Sequence, residues 1–397
     1  MNLFDITLSW EQRKLEQILN QRIEHQKITQ EEPLLAFSYS EGVIDPEDKK
    51  TNKRDFIMVD KYNKIFSRTE INDIIYNPAN VIHGAIHRNK LKNGVVSPIY
   101  KIFYPNENIS SKYLGERLHT DKFIAEISKY IEGTVVKLRT LSPEKFLDMS
   151  IEIPVEYKEQ ENIGLIFEKI NNLITLHQRK YDKLVAVKKS LLEKMFPNDN
   201  SVFPDIRFKG YTEAWEQCEL SKLGKIETGN TPSTTIEDYY SDTGLLWVTP
   251  TDIISNILVN TDKKLTSKGM AVARVIPANS ILCTCIASIG KNAFLPVKCA
   301  FNQQINALTP YDGNHPYFLF TNSYNWSQTM KKGAGGLTFQ IVNKTEFSNI
   351  KTYVPKYNEQ KEIGDLFYKL DNLITLHQRK CEKLKNLKKS LLEKMFC

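Results

Sequence analysis

Between residues 159 and 195 the chain has no proline and one glycine, Gly164, and apolar side chains recur at Ile163, Ile166, Ile170, Leu173, Leu184, Val187 and Leu191. Alternating steps of three and four predict a long helix whose apolar stripe is a coiled-coil seam. Pro197 and the polar run after it are the stop. The pattern returns 200 residues later at Ile363, Leu366, Leu370, Leu373, Leu384, Leu387 and Leu391, and in each copy a His and a Lys interrupt it, His177 with Lys180 and His377 with Lys380. Tyr157 to Phe196 matches Tyr357 to Phe396 at 27 of 40 positions without a gap, so the segment is duplicated. Each stripe needs a cover, and its twin supplies one. Ile163, Ile170, Leu173, Leu184 and Leu191 are expected to pair with Ile363, Leu370, Leu373, Leu384 and Leu391.

Direction follows from length. A helix of this span is about 55 Å long, whereas the 14 residues from Phe196 to the next folded segment at Gly210 reach at most about 45 Å. A parallel pair would need a return of nearly a helix length; an antiparallel pair needs none. The expected fold is α/β: two globular α/β heads separated by a pair of long antiparallel coiled-coil helices with pseudo-twofold symmetry. The expected boundaries are 1–155 for the first head, 156–197 for the first spacer helix, 198–354 for the second head and 355–397 for the second helix.

The heads do not align with one another, although "WEQRKL" from Trp10 echoes "WEQCEL" from Trp215. Short β-like runs at Phe56, Val81, Pro98 and Thr134 and a helical stretch at 122–131 fill the first. In the second, runs at 244–250, 273–286, 292–297 and 304–310 precede a helical stretch near 317–330. The polar, small-residue loops between strands are where function is sought. In the second head these are "ETGNTPST", "TPTD", "SIGKN" and "KKGAGGLTFQ", and in the first "HRNKLKNG" and "SSKYLGERLHT". Such loops permit close backbone approach and donate to phosphates or base edges.

Composition narrows the class. With 54 Lys and Arg against 47 acids the net charge is +7, a weak lean toward a polyanionic partner. The six cysteines lie in the second half with no CxxC spacing, which implies reduced thiols and a cytoplasmic setting. No apolar run reaches the roughly 20 residues of a membrane span. A phosphate loop, GxSxG and HExxH are all missing, so no catalytic or metal residues are assigned.

Variable head, constant helix, variable head, constant helix, with "EQKEIGDLFYKLDNLITLHQRKCEKLKNLKKSLLEKMF" closing the chain and "PDIRFKGYTEAWEQCELSKLGKIETGNTPST" opening the second head, resembles the specificity subunit of type I restriction-modification systems. One departure is that the first head has no counterpart of "PDIRFKG". The resemblance implies a non-catalytic subunit whose heads are target-recognition domains, each reading half of a split double-stranded DNA site. It implies that the helices set the spacing and hold two methyltransferase subunits, that restriction and motor subunits can join, and that S-adenosylmethionine, ATP and Mg2+ belong to those partners. Within that frame the expected DNA contacts are His83, His87, Arg88, Lys112 and Arg117 in the first head and Asn230, Thr231, Thr251, Ser288, Lys291 and Gln303 in the second. A coiled-coil adaptor without sequence-specific DNA binding explains the helices but not two dissimilar, loop-rich heads. A self-contained DNA-modifying enzyme would need a cofactor loop that the sequence lacks.

Overall fold

The computed structural model describes residues 9–48, 62–131, 140–197, 201–286, 288–333 and 341–396. The runs expected at Phe56 and Thr134 and most of the glycine-rich loop after Gly333 lie outside them. The chain forms two compact units, residues 1–176 with 381–397 and residues 177–380. Each unit thus owns one head, the first half of that head's helix and the last half of the other helix.

The duplicated segments are helices Tyr157–Lys194 and Tyr357–Met395, within the spacers expected at 156–197 and 355–397. A Glu in the first turn and a Lys in the last complement each helix dipole. In the first unit Phe396, from the end of the second helix, lies 5.7 Å from Phe167 near the start of the first, and packs on Tyr113 and Trp10 of the head. In the second unit Phe196 lies 6.0 Å from Phe367 and packs on Phe318 and Trp215. Start meets end in both units, so the helices run antiparallel as expected. Each aromatic set buries a head, its own helix and the far end of the other helix together, which is why contacts divide the helices at their middles.

The register of the seam differs from the expected one. The inward positions of the first helix are Gln160, Ile163, Phe167, Ile170, Ile174, His177, Tyr181, Leu184, Lys188, Leu191 and Met195, an unbroken alternation of three and four. The second helix repeats it from Gln360 to Met395. Ile163, Ile170, Leu184 and Leu191 and their twins Ile363, Leu370, Leu384 and Leu391 are seam residues, but Leu173 and Leu373 are each 43% exposed. Phe167 and Ile174 take the places given to Ile166 and Leu173. Nor is the seam interrupted: His177 lies in it, its Nδ1 2.9 Å from Nδ1 of His377, while Lys180 points to solvent. Both registers are apolar at most positions. The true one looks worse in sequence because it includes His177 and Lys188, whose polarity is satisfied by partners that sequence does not show.

The heads, which do not align, share one topology. Trp10–Lys14 pairs antiparallel with Ser150–Pro154 just before the first helix, and Glu216–Glu219 pairs with Lys351–Val354 just before the second. The "WEQ" echo is therefore the same closing strand in both. A four-stranded antiparallel sheet follows, ordered Leu19–Gln21, Lys101–Pro105, Ile74–Tyr76, Ile86–Arg88 in the first head and Gly224–Thr228, Ile305–Pro310, Ser280–Thr284, Asn292–Leu295 in the second. After the second strand of that order comes a helix, Ser111–Arg117 or Pro316–Gly333, which seats the head on its stem. The second head adds a five-stranded sheet in which Leu245–Val248 and Cys299–Phe301 run parallel. The first adds a three-stranded sheet and the hairpin Ala36–Ser38 with Gly42–Ile44.

Candidate nucleic-acid interface

In the second head, three of the expected residues come together. At Gly229 a Cβ would stand 2.2 Å from the Phe301 carbonyl oxygen, so only glycine lets this strap lie on the 301–303 loop. Asn230 next to it is tied on every side: its N–H donates to Phe301 O (3.0 Å), its Nδ2 donates to Val272 O (2.8 Å), and its Oδ1 accepts from the Arg274 N–H (2.5 Å). Thr231 donates its hydroxyl to Gln303 Oε1. Asn230 therefore fixes loop geometry, and the side chain it presents is that of Arg274, which is exposed and has no side-chain partner among the described residues. Arg274 is absent from the expected contacts because "ARVIP" reads as a strand; Pro277, which interrupts a strand, was the available signal.

Two further loops carry the other residues. Thr284 holds the 288–291 turn, donating to Ser288 O and accepting from the Lys291 N–H (2.9 Å), and leaves the Lys291 side chain exposed. Thr251 sits exposed on a turn built around Asp252, whose carboxylate accepts from the N–H groups of Thr249 (2.8 Å) and Asp262 (3.0 Å).

In the first head the expected cations are committed inside the unit. Arg88 is buried and donates to Glu168 (2.7 Å) and Asn72 (3.2 Å). Lys112 pairs with Glu161 at 2.6 Å. Arg117 is buried, donates to Thr120 and to the Glu152 carbonyl, and lies over the Phe396 ring. His87 is packed 4.7 Å from His119, and burial first, then the neighbouring imidazole, lowers it to about 4. It is neutral at pH 7 and offers a phosphate no charge. His83 alone of the five is exposed, with its carbonyl accepting from Tyr39. Local sequence shows only that these residues are basic and lie in polar stretches. Their hydrogen-bonding partners lie up to 80 residues away, beyond the reach of local pattern.

Among the described residues no group of three or more His, Cys, Asp or Glu could hold a metal ion, and no helix is long and apolar enough to cross a membrane.

Residues 212–386 match the type I restriction modification DNA specificity domain family. Over 190 residues, 46% of its length, the chain is 26% identical to the type I restriction enzyme MjaIX specificity subunit of Methanocaldococcus jannaschii, and the match spans 44% of that protein. It is 24% identical over 295 residues to the putative MjaX specificity subunit of the same organism, covering 72% of this chain and 68% of the relative. The fold is that of the S subunit of a type I restriction-modification system from M. genitalium, with a TM-score of 0.69 at 13% identity over 100% of this chain and 98% of the other. The resemblance read from the repeated helix is thus borne out.

Proposed function

We propose that this chain is the specificity subunit of a type I restriction-modification complex, a protein without catalysis of its own whose two heads each read one half of a bipartite DNA target. The observation that carries the reading is a second head matching the specificity domain family together with a first head of the same strand order, both mounted on copies of one helix. Phosphate contacts would position each head and groove contacts would specify bases. In the second head Arg274, Gln303, Thr231, Thr251, Ser288 and Lys291 are the candidates, with Asn230 holding the loops; in the first, His83 and the loops beside it.

The partners follow from the helices. Leu173 with Leu176 on the first helix, and Leu373 with Leu376 on the second, leave the same apolar stripe 43–46% exposed. Identical stripes ask for two copies of one partner, and a methyltransferase subunit on each is the occupant we assign. S-adenosylmethionine, ATP and Mg2+ would be bound by the methyltransferase, motor and nuclease subunits, and the complex would work in the cytoplasm, where the DNA is.

Co-purification with methyltransferase subunits, followed by sequencing of methylated sites, tests this. The expected product is methylation at one split sequence, from a complex whose DNA affinity falls steeply with salt. Exchanging 200–352 for the matching segment of a relative should change one half of that sequence. A change in both halves, or turnover by the chain alone, would overturn the reading.

A further inference from the structure

Each head sits on its stem through the same device. Gln160 Oε1 accepts from the Ser110 N–H at the start of the docking helix (2.9 Å), and its Nε2 donates to Pro154 O (2.9 Å). Its twin Gln360 accepts from the His315 N–H (2.9 Å) and donates to Pro355 O (2.9 Å). One turn on, a Cβ at Gly164 would meet Lys112 Cβ at 2.6 Å, and one at Gly364 would meet His315 Nδ1 at 2.3 Å. Two heads with unrelated sequences thus enter one kind of socket.

The walls of the two sockets differ in charge. In the first, Glu161 receives Ser110 Oγ (2.7 Å) and Lys112, Glu168 receives Arg88, and Asn171 donates to Glu116 (2.8 Å). The same positions in the second are Lys361, Tyr368 and Asp371. Tyr368 packs edge-on against Tyr317 with centroids 5.0 Å apart, and Asp371 accepts from Tyr317 Oη (2.8 Å) and Asn256 Nδ2 (2.9 Å). A lysine common to both helices completes each arrangement: Lys188 reaches Asp371 at 2.5 Å, and Lys388 reaches Glu116 at 2.9 Å. One buried acid meets each lysine, supplied by the stem in the second unit and by the head in the first.

We propose that the sockets are keyed by charge, so that each stem accepts its own head and rejects the other. The first stem requires a head bringing Arg88 and Lys112 to its two glutamates and Glu116, which the head's own Lys90 also meets at 3.2 Å, to Lys388; the second requires a head that brings no acid to the common lysine. Seated on the second stem, the first head would set Lys112 against Lys361 and Glu116 against Asp371. Seated on the first, the second head would leave Glu161 and Glu168 unpaired and Lys388 without an acid. Unpaired buried charge is the costliest of these mismatches. The inference deepens the proposed reading, since a head that reads half a site must hold one orientation, but its test does not depend on DNA.

The decisive experiment is a double-mutant cycle in the full chain, read as unfolding in urea without DNA. Glu116→Gln strips Lys388 of its acid and Asn171→Asp adds a second acid beside Glu116; each should lower the folding equilibrium constant at least tenfold. Together they move the acid from head to stem, as in the second unit, and should recover most of the loss. Additive losses would overturn the key. Should Asn171→Asp not fold, recovery of a folded chain by the double variant still decides the question. As a second measurement, a chain carrying residues 1–155 in place of 198–354 should fold only when its second stem also bears Lys361→Glu, Tyr368→Glu and Asp371→Asn. Equal stability with the native stem would overturn the proposal. Absence of split-site methylation by the unaltered complex would instead count against the DNA-reading function and leave the cycle interpretable.

Discussion

Glu159 and Glu359 occupy one position in two nearly identical helices and should respond to substitution with opposite signs. Glu359 is buried and held by Arg207 through two bonds of 2.6 and 2.7 Å, so Glu359→Gln, which leaves the guanidinium half-answered, should cost about 3 kcal/mol. Arg207 belongs to "PDIRFKG", and in the first head Oε2 of Glu159 is buried without a hydrogen bond. Burial, resisted by a hydrogen bond from Trp10 and reinforced by Glu156, holds this carboxyl above its ordinary value. A raised carboxyl costs stability as pH climbs through its folded pKa, so Glu159→Gln should stabilise the chain at pH 7 and do nothing below about pH 4. Urea midpoints at the two pH values check both. Glu116 has the other sign. Burial alone would raise it, but Lys388 and then Lys90 outweigh that and hold it at about 2. Its contribution is present above the ordinary value of 4.5 and lost as pH falls from there toward 2, a slope that Glu116→Gln should remove from the acid unfolding curve. At this scale the sequence was legible in the shared glutamate of the two helices and illegible in what its basic loops hold, because acids such as Glu168 approach Arg88 only in the fold.

The two helices were legible in extent, twin relation and direction, because proline-free length and a gapless repeat are strong signals. Their rotation was not, since Ile166, Leu173 and Leu176 form a second apolar row beside the seam. The exposed row makes Leu173→Glu with Leu373→Glu a test of docking: circular dichroism and melting should be nearly unchanged while methyltransferase binding is lost. Phe167→Ala and Phe367→Ala, from the buried row, should each cost about 3–5 kcal/mol. At the centre, the Nδ1 contact of His177 with His377 needs one donor and one acceptor and cannot survive protonation of both rings. Partial burial, the facing His177, Lys180 and Lys380 all hold His377 below its ordinary 6.5. A depressed histidine supports the fold above its unfolded pKa and ceases to as pH falls through its folded one. Melting temperature should therefore drop from pH 7 to about pH 5, and His177→Leu with His377→Leu should flatten that dependence.

For the whole chain, the strict heptad sets how the spacing can be tested. Seven residues inserted after Arg179 and after Arg379 keep the seam in register and lengthen each helix by about 10.5 Å, close to three base pairs. On the proposed reading the methylated sequence keeps both halves and gains a longer spacer, which methylome sequencing would report; an unchanged spacer at full activity would mean the helices do not measure the site. Two heads on duplicated helices could be read from sequence because duplication leaves identical letters. The common topology of the heads could not, because a four-stranded sheet can be built from many apolar combinations and only its closing strand kept the "WEQ" signature. The aromatic set of the first unit has a further bearing, on time. Phe167 and the Phe396 that covers it are 229 residues apart. At the pace of synthesis, about 5–20 residues per second, some 11–46 s pass between their emergence from the ribosome. The head made first is thus the one whose core closes last, and until then Trp10, Tyr113 and Phe167 wait uncovered for a chaperone, a misfolding partner or the arriving helix.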